Sequence, residues 1–172
     1  MTKWIIILVV LLLTGAGAFR LRFLDSPPKP MAKNPLFQPL DPDQLKAIFP
    51  KHRLTVVNMW ASWCAPCKEE FPELIKLRDR HQKDGVDVVF ISVDRPDDRG
   101  DANAFLVEQK VDFLTYFAAD PIDDTIQAVG GDWGGAIPAS FVFNAAGEKI
   151  DSWQGGGNLA DFEAKILPRL AK

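Results

Sequence analysis

Hydrophobic and polar positions divide the chain into three stretches. Residues 4–19 form an unbroken run without charge, and residues 25–42 carry Pro27, Pro28, Pro30, Pro35, Pro39 and Pro42. From Leu54 onward, apolar runs of strand length alternate with segments of helical period. The run over 54–60 predicts a buried strand, followed by a helix over 65–83 interrupted by Pro72. A second strand is expected over 86–93, a helix over 102–110, a short strand over 113–117 and a short helix over 121–129. Segments 140–144 and 149–154 flank Ala145-Ala146-Gly147-Glu148 and predict a hairpin. Asn158 is placed to cap a last helix that Pro168 brings close to its end. Ahead of the first strand, Asp41 or Asp43 is placed to cap a short helix over 44–49. Parallel strand–helix–strand units, then a hairpin and a closing helix, make an α/β fold with a central mixed β-sheet flanked by helices.

The apolar run over 4–19 is short for a membrane span, which needs roughly 20 residues. It has the length of a signal-peptide core, and Ala16-Gly17-Ala18 offers small residues for cleavage. Leu21, Phe23 and Leu24 extend it if Arg20 and Arg22 snorkel to the interface. We therefore expect a signal peptide or membrane anchor over 1–24, a proline-rich, semi-rigid linker over 25–42 and one domain over 43–172. Lys3 and the α-amine nearly balance Arg20 and Arg22, so charge leaves orientation open. The expectation is export, with the domain on the extracytoplasmic, periplasmic side. No cysteine follows the run to carry a lipid.

Composition adds little except through charge. The chain is 47% hydrophobic and 25% charged, as a globular protein is. Its net charge of −3 is uneven: residues 1–33 hold Lys3, Arg20, Arg22, Lys29 and Lys33 against Asp25 alone. The domain is thus more acidic than the whole, without the basic footprint that nucleic acid requires.

The two cysteines, Cys64 and Cys67, carry the candidate chemistry. Their bond would close a small loop and constrain the unfolded chain little, so reaction rather than stapling is the expected role. They stand where a buried strand gives way to a helix. If the helix begins near Cys64, its sulfur meets unpaired N–H groups and the positive end of the dipole, which stabilises a thiolate. Cys67, one turn on, can attack a mixed disulfide formed at Cys64. Pro66 falls in the first turn, where its missing N–H costs little. A zinc site lacks ligands, since only His52 and His81 are available. His81 lies roughly 25 Å along the helix from Cys64 at 1.5 Å per residue. His52 lies roughly 20 Å away at the other end of the strand. No metal is expected there, and a Cys–His protease meets the same obstacle.

The segment Trp60-Ala61-Ser62-Trp63-Cys64-Ala65-Pro66-Cys67-Lys68-Glu69-Glu70-Phe71-Pro72, with Ile137-Pro138-Ala139-Ser140-Phe141 and Gly147 later, resembles the thioredoxin superfamily. Within it, the similarity is to the membrane-anchored, extracytoplasmic TlpA/ResA-like branch, over 54–170. The resemblance implies the thioredoxin fold, Cys64 as nucleophile, Cys67 as resolving thiol and a cis Ile137–Pro138 bond facing the sulfurs. A cis X–Pro is a rigid device that presents backbone groups to a client strand. Trp63, Pro66, Ile137 and Pro138 are then the candidate substrate-facing residues. Glu70, three residues after Cys67, shares its helix face and matches the branch's functional acid, placed to relay protons. Its alternative is a solvated charge like Glu69 and Glu73. Two departures stand out. Asn58 occupies the place where thioredoxin carries a buried Asp, and the loop over 130–136 is glycine-rich. Trp133 in that loop is a candidate aromatic contact for substrate, with a plain flexible loop as the alternative. Asp94, Asp97, Asp98 and Asp101 read as a solvated loop capping the next helix rather than a cation site.

The expected activity is reduction of disulfides in exported proteins, such as those of cytochrome c or respiratory copper-site assembly, with no organic cofactor. The partners would be exported disulfide substrates, a membrane electron donor that re-reduces the pair, and the membrane itself through the N-terminal segment. A disulfide-introducing oxidant, a peroxidase and a thiol-based copper-binding assembly factor are the alternatives.

Overall fold

A computed structural model describes residues 36–40, 42–118 and 122–170. The expectations for 1–24 and for most of the linker lie outside these residues. Among the described residues no helix is long and apolar enough to cross a membrane.

The elements run β1 (Phe37–Pro39), α1 (Pro42–Ile48), β2 (Leu54–Trp60), α2 (Ala65–His81), β3 (Val86–Ser92), α3 (Arg99–Glu108), β4 (Thr115–Phe117), α4 (Asp123–Ala128), β5 (Ala139–Asn144), β6 (Lys149–Gln154) and α5 (Leu159–Leu170). Among the described residues the strands make one six-stranded sheet in the order β1-β4-β3-β2-β5-β6. The first four are mutually parallel, β5 runs antiparallel to β2, and β6 runs antiparallel to β5. This is the mixed sheet that the sequence predicts, in a thioredoxin-fold arrangement.

Two boundaries move. The tail of the expected linker belongs to the sheet: Phe37–Pro39 pairs with Thr115–Phe117, and Leu40 is buried. A strand of three residues among prolines carries no alternation long enough to read, and tertiary pairing with β4 supplies what the local pattern lacks. Pro72 also fails to interrupt α2, which is continuous through it. The hydrogen bond lost there would have ended on the carbonyl of Lys68, an exposed residue that water can satisfy.

β2 is buried along its whole length, and its alternation assigns residues to faces. Val57 and Met59 join Val89, Ile91, Phe141 and Phe143 on one side. Val56 and Trp60 join Phe71, Leu74, Phe90, Phe105, Val142, Phe162 and Ile166 on the other, under α2, α3 and α5. Asn58, between Val56 and Trp60, therefore points into this second layer. So does Ser140, two residues before Val142.

Candidate active site

The site forms where β2 ends. Ala61 and Ser62 turn the chain, and Cys64 becomes the N-cap of α2 with extended backbone. Its sulfur accepts the Cys67 N–H at 3.3 Å, the bond an N-cap side chain normally makes. Cys64 and Cys67 are joined as a disulfide with Cα atoms 5.3 Å apart. Cys67 is fully buried and Cys64 nearly so, whereas Trp63 between turn and helix is 63% exposed. Pro66 lies in the first turn, as expected.

The second wall comes from β5. The Ile137–Pro138 peptide is cis, the isomer that the resemblance implies. Met59 pairs with Ala139, so Pro138 stands beside the end of β2, at the cysteine end of the sheet. Ile137 packs against the apolar cluster that contains both cysteines. Trp133 does not join this wall. It is 5% exposed, donates its indole N–H to Ala136 O at 2.9 Å, and packs against Phe141 in the opposite layer. Its ring braces the glycine-rich loop from inside, so the exposed aromatic surface at this end is that of Trp63.

Glu70 lies in the buried stripe of α2 with Cys67, Phe71, Leu74 and Leu77. It is therefore no solvated charge. Asn58 Nδ2 donates to Glu70 Oε1 at 2.8 Å and to Ser140 Oγ at 3.1 Å. Burial pushes the Glu70 carboxyl up to about 7 against the opposing effect of the Asn58 hydrogen bond. A carboxyl at that value exchanges its proton near neutral pH.

One of the loop acids that the sequence places in solvent is instead buried. Asp94 is 3% exposed rather than solvated, and its carboxylate accepts the Ser62 N–H at 3.0 Å. The Ser62 hydroxyl (2.5 Å) and the Ser92 hydroxyl (2.7 Å) donate to it as well. It anchors the turn that delivers Cys64. Its partner Ser62 lies 32 positions away, so no local signal reveals it. Nearby, Arg95 pairs with Asp98 at 3.0 Å.

The histidines stay away from the sulfurs. His52 contacts Asp87 at 3.4 Å, and His81 contacts Asp84 and Glu163. Among the described residues no group of three or more His, Cys, Asp or Glu is arranged to hold a metal ion. Shallow hollows flank Trp63, lined by Arg95, Asp98 and Asp101 on one side and by Lys68, Asp101 and Glu108 on the other. A larger hollow, lined by Arg53, Asn144, Ile150 and Arg169, opens at the opposite end of the strands and has no part in this chemistry.

Residues 38–150 match the model of the AhpC/TSA family. The chain belongs to that family. A relative, the thiol:disulfide interchange protein HelX of Rhodobacter capsulatus, is 36% identical over 121 residues, covering 69% of this chain and 62% of its own. The chain thus spans about three-fifths of that relative's length. The thiol-disulfide oxidoreductase ResA of Bacillus thuringiensis is 26% identical over 94% of this chain and 95% of its own. Among solved structures, a putative thiol:disulfide interchange protein DsbE from Chlorobium tepidum superposes with a TM-score of 0.59 at 28% identity, over 72% of this chain and 84% of that one. The family and the fold agree with the resemblance read from the cysteine and proline segments.

Proposed function

We propose that this chain is a thiol–disulfide oxidoreductase that reduces disulfides of exported proteins. The observation that carries the reading is the Cys64–Cys67 pair at the N-terminus of α2, beside the cis Ile137–Pro138 peptide. The relatives named for thiol–disulfide interchange support it.

The cycle starts from the dithiol. The Cys64 thiolate, stabilised by the helix N-terminus, attacks one sulfur of the client disulfide. The client's other sulfur leaves as a thiolate and takes up a proton. Cys67 then gives its proton to the Glu70 carboxylate and attacks the Cys64 sulfur. The second client thiolate departs and takes up a proton from water, and the pair is left as the disulfide. The client gains two electrons and two protons, and the pair loses them. A membrane dithiol donor restores Cys64 and Cys67, and no organic cofactor takes part. Trp63, Pro66, Ile137 and Pro138 offer the client its surface, with edge-strand pairing at the cis-proline segment. The apolar run over 4–19 tethers the domain to the outer face of the membrane or delivers it there. Clients in cytochrome c or respiratory copper-site assembly fit the resemblance.

The test is the reduction potential of the pair in the full chain, equilibrated against glutathione. A reductant lies at about −230 mV or lower. A value above about −180 mV makes the protein an oxidant that introduces disulfides and overturns the direction proposed.

A further inference from the structure

Glu70 presents two unlike oxygens. Oε1 accepts the Asn58 amide, which is itself held by Ser140 Oγ at 3.1 Å and lies 3.5 Å from Ala139 O. These three side chains are at most 2% exposed, so Oε1 is fixed inside the sheet–helix layer. Oε2 is buried with no hydrogen-bond partner among the described residues. Above it stands Gly156, an exposed residue of the Gly155-Gly156-Gly157 turn that follows β6. A methyl added to Gly156 would lie 3.7 Å from Oε2 and 3.7 Å from the Pro66 carbonyl oxygen. That is ordinary contact distance: Oε2 touches no solvent, and an exposed residue without a side chain is what covers it. Gly156 does not occupy the left-handed region, unlike Gly155 at φ +88°. Its backbone therefore gives no reason for glycine.

We infer that Asn58 and Ser140 fix the exchangeable proton of Glu70 on Oε2, and that Gly156 is the thin cover whose displacement lets this oxygen trade protons with solvent. The inference rests on Glu70 as the acid of the resolving step and deepens it. An oxygen that already accepts a hydrogen bond has less electron density for a proton, so protonation falls on the other. The groups around Glu70 leave water as the exchange partner. β2 contributes the Asn58 amide and β5 the Ser140 hydroxyl, while α2 contributes Cys67 and the Pro66 carbonyl. Glu73, the next carboxylate on α2, is committed to Lys76 and to the Leu159 N–H. Glu70 makes no ion pair among the described residues. The steps balance: Cys67 S–H protonates Oε2, forming thiolate and neutral acid. Oε2–H then passes its proton to water admitted when the Gly156 turn moves aside, restoring the carboxylate for the next turnover.

The test is an infrared titration of the full oxidised chain that follows the C=O band of the protonated carboxyl, assigned by its loss in Glu70→Gln. In the unsubstituted chain the band titrates near 7 and shifts at once on transfer to deuterium oxide. Gly156→Ala and then Gly156→Leu thicken the cover in steps. They move the midpoint upward, by about one pH unit for Leu as burial deepens, and slow deuterium uptake. The pH profile of the resolving step moves with them. Gly134→Ala, whose methyl meets nothing within 4 Å, leaves the midpoint in place. Asn58→Ala frees Oε1 and carries the C=O band to higher wavenumber. An unchanged midpoint and exchange rate in Gly156→Leu overturns the role of Gly156 while leaving Glu70 as the acid. An unmoved band in Asn58→Ala overturns the placement of the proton. If no band lost in Glu70→Gln titrates near 7, the role of Glu70 falls too.

Discussion

Glu70 keeps one hydrogen bond where a carboxylate in water would have several, and folding makes its charged form costly. Its carboxyl is pushed up to about 7 from the ordinary 4.5. Between these values the folded chain holds a proton that the unfolded chain has released, so stability falls as pH rises from about 4.5 to about 7. Glu70→Gln removes this slope: its thermal midpoint exceeds that of the unsubstituted oxidised chain at pH 8, and the gap closes toward pH 4.5. Calorimetry across that range checks it. Asp94 is buried too, with its oxygens hydrogen-bonded by Ser62 and Ser92. Asp94→Ala strands the Ser62 N–H and two hydroxyls and costs about 2 kcal/mol or more in denaturant unfolding. It also slows alkylation of reduced Cys64, because the turn before it loses its anchor. The sequence shows these acids unequally. Glu70 is legible because 67, 70, 71, 74 and 77 form one helical stripe. Asp94 and Trp133 are not, since an acid or a tryptophan in a polar loop looks exposed until distant partners, Ser62 and Phe141, are brought to it.

α2 and α5 are joined at one end by a charged cluster. His81 Nε2 meets Glu163 at 2.9 Å, its Nδ1 meets Asp84 at 3.1 Å, and Arg80 meets Glu163 at 2.9 Å. The hydrogen bond to Glu163 raises the His81 pKa, opposed by desolvation and assisted by Asp84. A histidine raised in the folded state contributes stability that is complete below its unfolded value near 6.5. That contribution fades as pH climbs through the folded value. The expected outcome is a fall in stability above pH 6.5 that His81→Gln abolishes and that 1 M salt weakens only in part. Its window opens near 6.5 and shares with that of Glu70 only the stretch up to about 7, so the two substitutions separate the slopes in urea unfolding. At this scale the pattern of apolar residues was informative wherever an element was long. β2 and α2 are legible because seven and seventeen residues repeat their period. β1 is not: its three residues become a strand only through β4.

For the whole molecule, the redox direction is a question about folding. Linkage requires that the form of the pair which stabilises the fold more is the form the protein tends to hold. Two sulfurs three positions apart close a loop so short that the cross-link restricts the unfolded chain by only about 2 kcal/mol in the chain-entropy view. What the folded state adds to each form therefore decides the outcome. The helix N-terminus at Cys64 favours a thiolate and so the reduced form. Against it stand the near-complete burial of both sulfurs and the buried carboxyl of Glu70, whose negative charge disfavours a thiolate on the same helix face once pH exceeds about 7. A reductant needs the second group to win. The oxidised chain should then unfold at higher denaturant than the dithiol form at pH 7.5, and Glu70→Gln should narrow the difference by stabilising the reduced form. Paired unfolding curves, with and without excess reductant, measure this directly. If the dithiol form proves the more stable, the helix N-terminus dominates. The same architecture would then drive electrons from client to protein, with Cys64–Cys67 working as a disulfide donor.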